Sequence, residues 1–158
     1  MASAAEKTAE YLLGNHLTIA TAESCTGGLI ASEFVSIAGS SEWFCEGCVT
    51  YSVEAKHSRL GVSLQTVEEH TVVSGEVAVE MAKGIRKNLN ADIGLSTTGY
   101  AGPGGGDDIN PVGTVFIGIS SEKTGDIFRK YRFFGSRNEV REQAKAAAID
   151  FLLESITS

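Results

Sequence analysis

No stretch of this sequence is apolar for long enough to cross a bilayer, and its N-terminus, Met1-Ala-Ser-Ala-Ala-Glu-Lys, lacks the basic-then-apolar layout of a secretory signal. A cytoplasmic location is the expectation. Cysteine is scarce and odd in number, three residues, which argues for free thiols and against a disulfide framework. Basic charge is in deficit: 13 Lys and Arg against 20 Asp and Glu leave a net charge of −7. That balance disfavours nucleic acid or an anionic membrane as the main partner. An anionic small molecule stays possible if a local cationic pocket receives it. Internal repeats, low-complexity segments and dividing linkers are also missing. What is present, 158 residues of which 42% are hydrophobic, suffices for one domain spanning 1–158 with one sizeable core. A small-molecule substrate and a homo-oligomer are expected, with no nucleic-acid or membrane partner.

Residues 4–13 pattern as a short helix stopped by Gly14-Asn15, and 17–22 as a buried strand. An amphipathic helix is expected over 29–37, a second strand over 43–51, and a helix capped by Ser52 that ends at Gly61. A short helix over 63–70 precedes a longer one over 74–89, with Ser74 as N-cap and Val77, Met81, Ile85 and Leu89 at helical spacing. A strand over 91–98 leads into the glycine-dense run 99–111, which no regular element accommodates. Strands over 112–120 and 126–134 are joined as a hairpin, and Ser136-x-x-Glu139 opens a closing helix over 136–156. Alternating strands and helices followed by a hairpin imply an α/β fold, a three-layer α/β/α sandwich on a mixed β-sheet.

The organising stretch is Thr21-Ala-Glu-Ser-Cys-Thr-Gly-Gly28, which places Ser24 where a strand turns into a helix. A hydroxyl nucleophile there would project from the carboxyl edge of a sheet, with glycines admitting a substrate and helix-start N–H groups near Thr26 and Gly27 able to hold an oxyanion. The plainer assignment is an ordinary helix start, with Ser24 or Thr26 as N-cap. Cys25 is a rival nucleophile, being the softer group in the same turn.

A serine needs a base, and none of His16, His57 or His70 lies in a setting that suggests one. Tyr51-Ser-Val-Glu-Ala-Lys56 sits at the next strand-to-helix junction. If the two strands are neighbours, Lys56 in its neutral form could take the serine proton, with Tyr51 relaying or orienting it. Taken alone, the segment favours a solvated helix lysine and a core-edge tyrosine.

Cys45-Glu-Gly-Cys48 has the spacing of a redox or metal pair but falls inside a strand pattern, without enough further ligands for zinc. The run 99–106 lacks the ending of a phosphate loop and leads to a strand, so it reads as a flexible wall beside a pocket. Arg137, at the start of the last helix, could bind a phosphate with help from the helix dipole, or be a plain surface arginine.

Ala22-Glu-Ser-Cys-Thr-Gly-Gly28, Gly39-Ser-Ser41, Val49-Thr-Tyr-Ser52, Ala55-Lys56, Gly99-x-Ala-Gly-Pro103, Pro111-Val-Gly-Thr114 and Gly135-Ser-Arg137 together resemble the CinA C-terminal domain, or nicotinamide-nucleotide amidase, family, in its stand-alone form. The resemblance runs over nearly the whole chain. It implies hydrolysis of the carboxamide of nicotinamide mononucleotide to nicotinic acid mononucleotide and ammonia, with no cofactor and no metal. It makes Ser24 the nucleophile and Tyr51 and Lys56 its activating partners, and assigns Cys25, Thr26, Gly27, Thr98, Gly99, Gly102 and Arg137 to substrate binding. Tyr100 stands where that family has a small aliphatic residue, and Asp107-Asp-Ile-Asn110 precedes Pro111 where a lysine is common. A second class of function is a nucleotide-binding or regulatory module that keeps the pocket without turnover; intact Ser24, Tyr51 and Lys56 weigh against it.

Overall fold

The computed structural model describes residues 1–158. Its elements run α1 (Ala4–Gly14), β1 (Ile19–Glu23), α2 (Leu29–Val35), a single 3-10 turn (Ser40–Glu42), β2 (Phe44–Val49), α3 (Val53–Leu60), α4 (Leu64–His70), α5 (Gly75–Leu89), β3 (Ile93–Gly99), β4 (Thr114–Ser121), β5 (Gly125–Arg132) and α6 (Arg137–Thr157). All five strands join one sheet in the order β2-β1-β3-β4-β5. β1 is parallel to both β2 and β3, and β3–β4 and β4–β5 are antiparallel. Helices α1, α2 and α6 cover one face, and α3, α4 and α5 the other. This is the expected three-layer α/β/α sandwich on a mixed sheet.

Side-chain alternation along the strands builds the two cores. Ile19, Ile93, Leu95, Val115, Ile117 and Ile119 pack under α1 and α6, while Ala20 and Ala22 face Val77, Met81 and Ile85 of α5. α5 can lie this close because the strands beneath it carry glycine. A Cβ at Gly94 would meet the Ala82 carbonyl, and one at Gly118 the Ala78 carbonyl.

Ser52 and Ser74 cap the following helices as the sequence suggests, Ser63 caps α4 in the same way, and Ser136 and Glu139 form the expected reciprocal capping box. Element ends differ by a few residues. Leu17 and Thr18 precede β1, with Thr18 tied to the Asp92 carboxylate at 2.8 Å. α2 stops at Val35, and β2 ends at Val49, so Tyr51 stands beyond the strand.

The chain goes from β1 to β2 by way of α2 on one face, then from β2 back to β3 through α3, α4 and α5 on the other. The connections leaving the carboxyl ends of β1 and β2 therefore go to opposite faces, and between two such ends open α/β sheets leave a crevice for a ligand.

Candidate active site

Glu23, the last residue of β1, pairs in register with Val49 of β2, and the Thr50 N–H donates to the Glu23 carbonyl at 2.9 Å. Ser24 and Thr50 thus leave neighbouring strands side by side. Ser52 starts α3 immediately afterwards, and Lys56, one turn in, points back toward the strand ends. Its Nζ lies 2.9 Å from Ser24 Oγ, 2.6 Å from the Thr50 carbonyl and 3.4 Å from the Tyr51 carbonyl.

Lys56 is 1% exposed and Ser24 7%. Every oxygen within hydrogen-bonding reach of the amine is neutral, and burial lowers its pKa from the ordinary 10.5 to about 8, against a weak opposing pull from Cys25 and Cys48. Once neutral, the amine has two N–H groups and one lone pair. The carbonyls of Thr50 and Tyr51 take the N–H groups, which leaves the lone pair for the Ser24 hydroxyl. The exposed-lysine alternative does not describe this side chain.

Cys25 belongs to the core under α6 and is 5% exposed. Burial raises its pKa to about 11, so at neutral pH it is a thiol and a poor competitor for the nucleophile role.

The turn itself is held by residues the sequence analysis did not single out. Glu23 is fully buried, and its Oε1 accepts from Thr26 Oγ1 (2.6 Å) and from the N–H groups of Gly28 (3.2 Å) and Ile30 (3.0 Å). Its Oε2 accepts from the Ala31 N–H at 3.0 Å. The start of α2 is therefore satisfied by a carboxylate from the strand, and its N-cap, Gly28, contributes no side chain. This corrects two expectations. Neither Ser24 nor Thr26 caps α2, and the N–H of Gly27 is not an oxyanion donor, since it already donates to the Ser24 carbonyl at 3.1 Å. The N–H groups of Cys25 and Thr26 donate to no carbonyl of the protein. Arg141 of α6 grips the other side of the turn, Nε donating to the Cys25 carbonyl (2.9 Å) and a terminal nitrogen to the Thr26 carbonyl (3.2 Å).

On the far side of Ser24, Thr97 is fully buried and places its Oγ1 2.8 Å from Thr26 Oγ1, while accepting the Ser24 N–H at 3.4 Å. The expectation named its neighbour, Thr98. That side chain is turned to the opposite face of the sheet, where it donates to the Val72 carbonyl at 3.0 Å. Gly99 lets β3 close on β4, because a Cβ there would lie 2.7 Å from the Thr114 carbonyl.

Arg137, at the first position of α6, donates to the Gly102 carbonyl (2.7 Å) and to the Tyr51 hydroxyl (2.9 Å). It joins the glycine-rich segment to the β2–α3 junction and pins what the sequence suggested to be a flexible wall. Tyr51 is 61% exposed, and its phenol bonds to Arg137, with neither Ser24 nor Lys56 among its partners. What Tyr51 gives Lys56 directly is a carbonyl. Tyr100 packs beside Val73 and Phe116, and Asp107 closes a turn by accepting the N–H groups of Ile109 and Asn110, so both unusual features are structural parts of the loop. Cys45 is exposed and Cys48 half-buried, and no cluster of metal-ligating side chains forms anywhere. A surface cleft of about 740 Å3 opens at the other end of the strands around Lys83, Arg86 and Asp126 and shares no residue with this site.

The site is thus a buried serine hydrogen-bonded to a lysine of lowered pKa, at the mouth of the parallel β1–β2 pair. The model of the CinA C-terminal domain family matches residues 1–156. The chain belongs to that family. It is 45% identical over 151 residues to a Clostridium botulinum protein named as competence-damage inducible, and 49% identical over 148 residues to one so named from Clostridium acetobutylicum. These alignments cover 96% and 92% of the chain but only 37% and 35% of the relatives, so the chain spans little more than a third of their length. Among solved structures, the competence damage-inducible protein A of Klebsiella pneumoniae superposes with a TM-score of 0.93 at 33% identity, over 98% of this chain and 95% of that one. A CinA superfamily protein of Escherichia coli gives 0.91 at 34% identity, over 96% and 87%. No helix is long and apolar enough to cross a membrane.

Proposed function

We propose that this CinA-family protein is an amidohydrolase acting on the carboxamide of nicotinamide mononucleotide. The observation that carries the reading is the 2.9 Å contact between Ser24 Oγ and the Nζ of a lysine whose pKa burial lowers to about 8. Ser24 attacks the carboxamide carbon as its proton passes to Lys56, and the oxyanion is received by the N–H groups of Cys25 and Thr26. Lys56 then hands the proton to the departing nitrogen, which leaves as ammonia. Water attacks the resulting ester, again giving a proton to Lys56, which passes it to the departing Ser24 oxygen, so that serine and neutral lysine are restored as the acid leaves. Tyr51 acts at the mouth of the site through its bond to Arg137. Arg137 retains N–H donors beyond the two it uses on Gly102 and Tyr51, and these take the phosphate.

The test is ammonium release from the mononucleotide by the purified protein, with Ser24→Ala as the inactive control. Arg137→Ala should raise KM for the mononucleotide by about ten- to a hundredfold more than for the phosphate-free riboside, the worth of a charge-assisted hydrogen bond. Equal effects on both substrates would remove Arg137 from the phosphate site, and ammonium release by Ser24→Ala would remove Ser24 from the chemistry.

A further inference from the structure

Arg141 touches neither Ser24 nor Lys56, yet it holds both carbonyls at the centre of the catalytic turn. In a trans peptide the C=O of one residue and the N–H of the next point in opposite directions. When Arg141 draws the Cys25 carbonyl toward α6, it aims the Thr26 N–H away from α6. The neighbouring peptide obeys the same geometry: the Thr26 carbonyl goes to Arg141 and the Gly27 N–H goes to the Ser24 carbonyl. The turn is thus oriented from outside by a guanidinium, while Glu23 absorbs the N–H groups of Gly28, Ile30 and Ala31. What remains unclaimed, the N–H of Cys25 and of Thr26, is the donor pair beside Ser24.

We propose that Arg141 is a positioning residue that sets the oxyanion donors of the Ser24 turn, and that its positive charge polarises the Cys25–Thr26 peptide so that the Thr26 N–H donates more strongly. Several features fit it to that task. Its remaining terminal nitrogen is braced by the Asn138 side chain at 3.0 Å. Gly27, at φ +58, leaves room for the guanidinium, since a Cβ there would lie 2.9 Å from it. Because it acts when charge develops on the substrate oxygen and not when substrate binds, it belongs to kcat.

The inference rests on the amidohydrolase reading, so its test carries two readouts. Wild type, Arg141→Met and Arg141→Lys are compared for ammonium release from the mononucleotide and for the rate at which a fluorophosphonate labels Ser24, a reaction in which serine oxygen bonds to phosphorus, fluoride leaves and Lys56 takes the proton. Arg141→Met should lower kcat by about a hundredfold or more, as loss of an oxyanion donor does, with KM moved less than about threefold. Arg141→Lys should recover part of the loss, and the ascending limb of the pH profile should stay in place in both. A loss expressed in KM, a displaced pH limb, kcat retained in Arg141→Met, or failure of both variants to fold would each overturn the proposal. If wild type is labelled but releases no ammonium, the substrate reading fails while the labelling ratios still decide on Arg141. If wild type is neither labelled nor active, both fall.

Discussion

Lys56 is the residue on which the site depends, because at its ordinary pKa almost none of it would be a base at neutral pH. A fall from 10.5 to about 8 disfavours the charged form by about 3 kcal/mol, a price the fold meets by shutting the side chain away from water. If the neutral amine is the working form, as proposed, kcat/KM should rise with pH along a limb centred near 8, and Lys56→Met should abolish turnover together with that limb. The same shift affects stability. Between about pH 8 and 9 the unfolded chain holds a proton on Lys56 that the native protein has released, so unfolding free energy should rise with pH there; above about 9 the buried Cys25 thiol, protonated to about 11 in the native protein only, contributes an opposing fall. Lys56→Met should remove this rise; a wild type with no rise would mean the native lysine titrates as an ordinary one, and a rise that persists in Lys56→Met would assign it to another group.

At this scale the sequence pointed to Ser24 and Lys56, which the structure brings within 2.9 Å, and was silent about what supports them. Ser24 and Lys56 are marked by where they stand, each just past a strand end. Thr97 is not, because Ser96-Thr-Thr98 offers no hydrophobic alternation to say which threonine faces the site. Glu23 reads as one more strand residue until α2 is seen to begin without a side-chain cap. Arg141 meets the turn across more than a hundred residues, and the one available signal was its spacing of four from Arg137 on the same helix.

Among the elements, α5 and the strands beneath it fix how the sheet is presented, and here caps and periodicity made the helix legible while its closeness to the sheet was not. Gly94 and Gly118 look like weak points in strand patterns. In the structure they are the contact surface for the α5 backbone, at the Ala82 and Ala78 carbonyls. Gly118→Ala should force α5 outward and cost about 1–3 kcal/mol, lowering Tm by about 2–4 °C per kcal/mol for a chain of this size. Gly104→Ala, where nothing lies within 4 Å of the added carbon, is the control that should leave Tm unchanged. Equal melting of both variants would mean the α5–sheet approach is not a constraint.

For the whole molecule, the alternation of strands and helices with a closing hairpin was enough to give the layered architecture, but strand order was not readable from periodicity. That order matters most, since β1 between β2 and β3 is what brings Ser24, Lys56 and Thr97 to one crevice. The same topology gives an acidic protein a cationic side to its site, with Arg137 and Arg141 both projecting from the first turns of α6. The account makes all of this serve one covalent step, attack by Ser24 on a carboxamide. The direct measurement is an acid quench of protein mixed with nicotinamide mononucleotide within the first turnovers, followed by peptide mapping by mass spectrometry. The account predicts an adduct of the mononucleotide less ammonia, carried as an ester on Ser24. An adduct on Cys25, or sustained ammonium release at every quench time with no adduct at all, would contradict it.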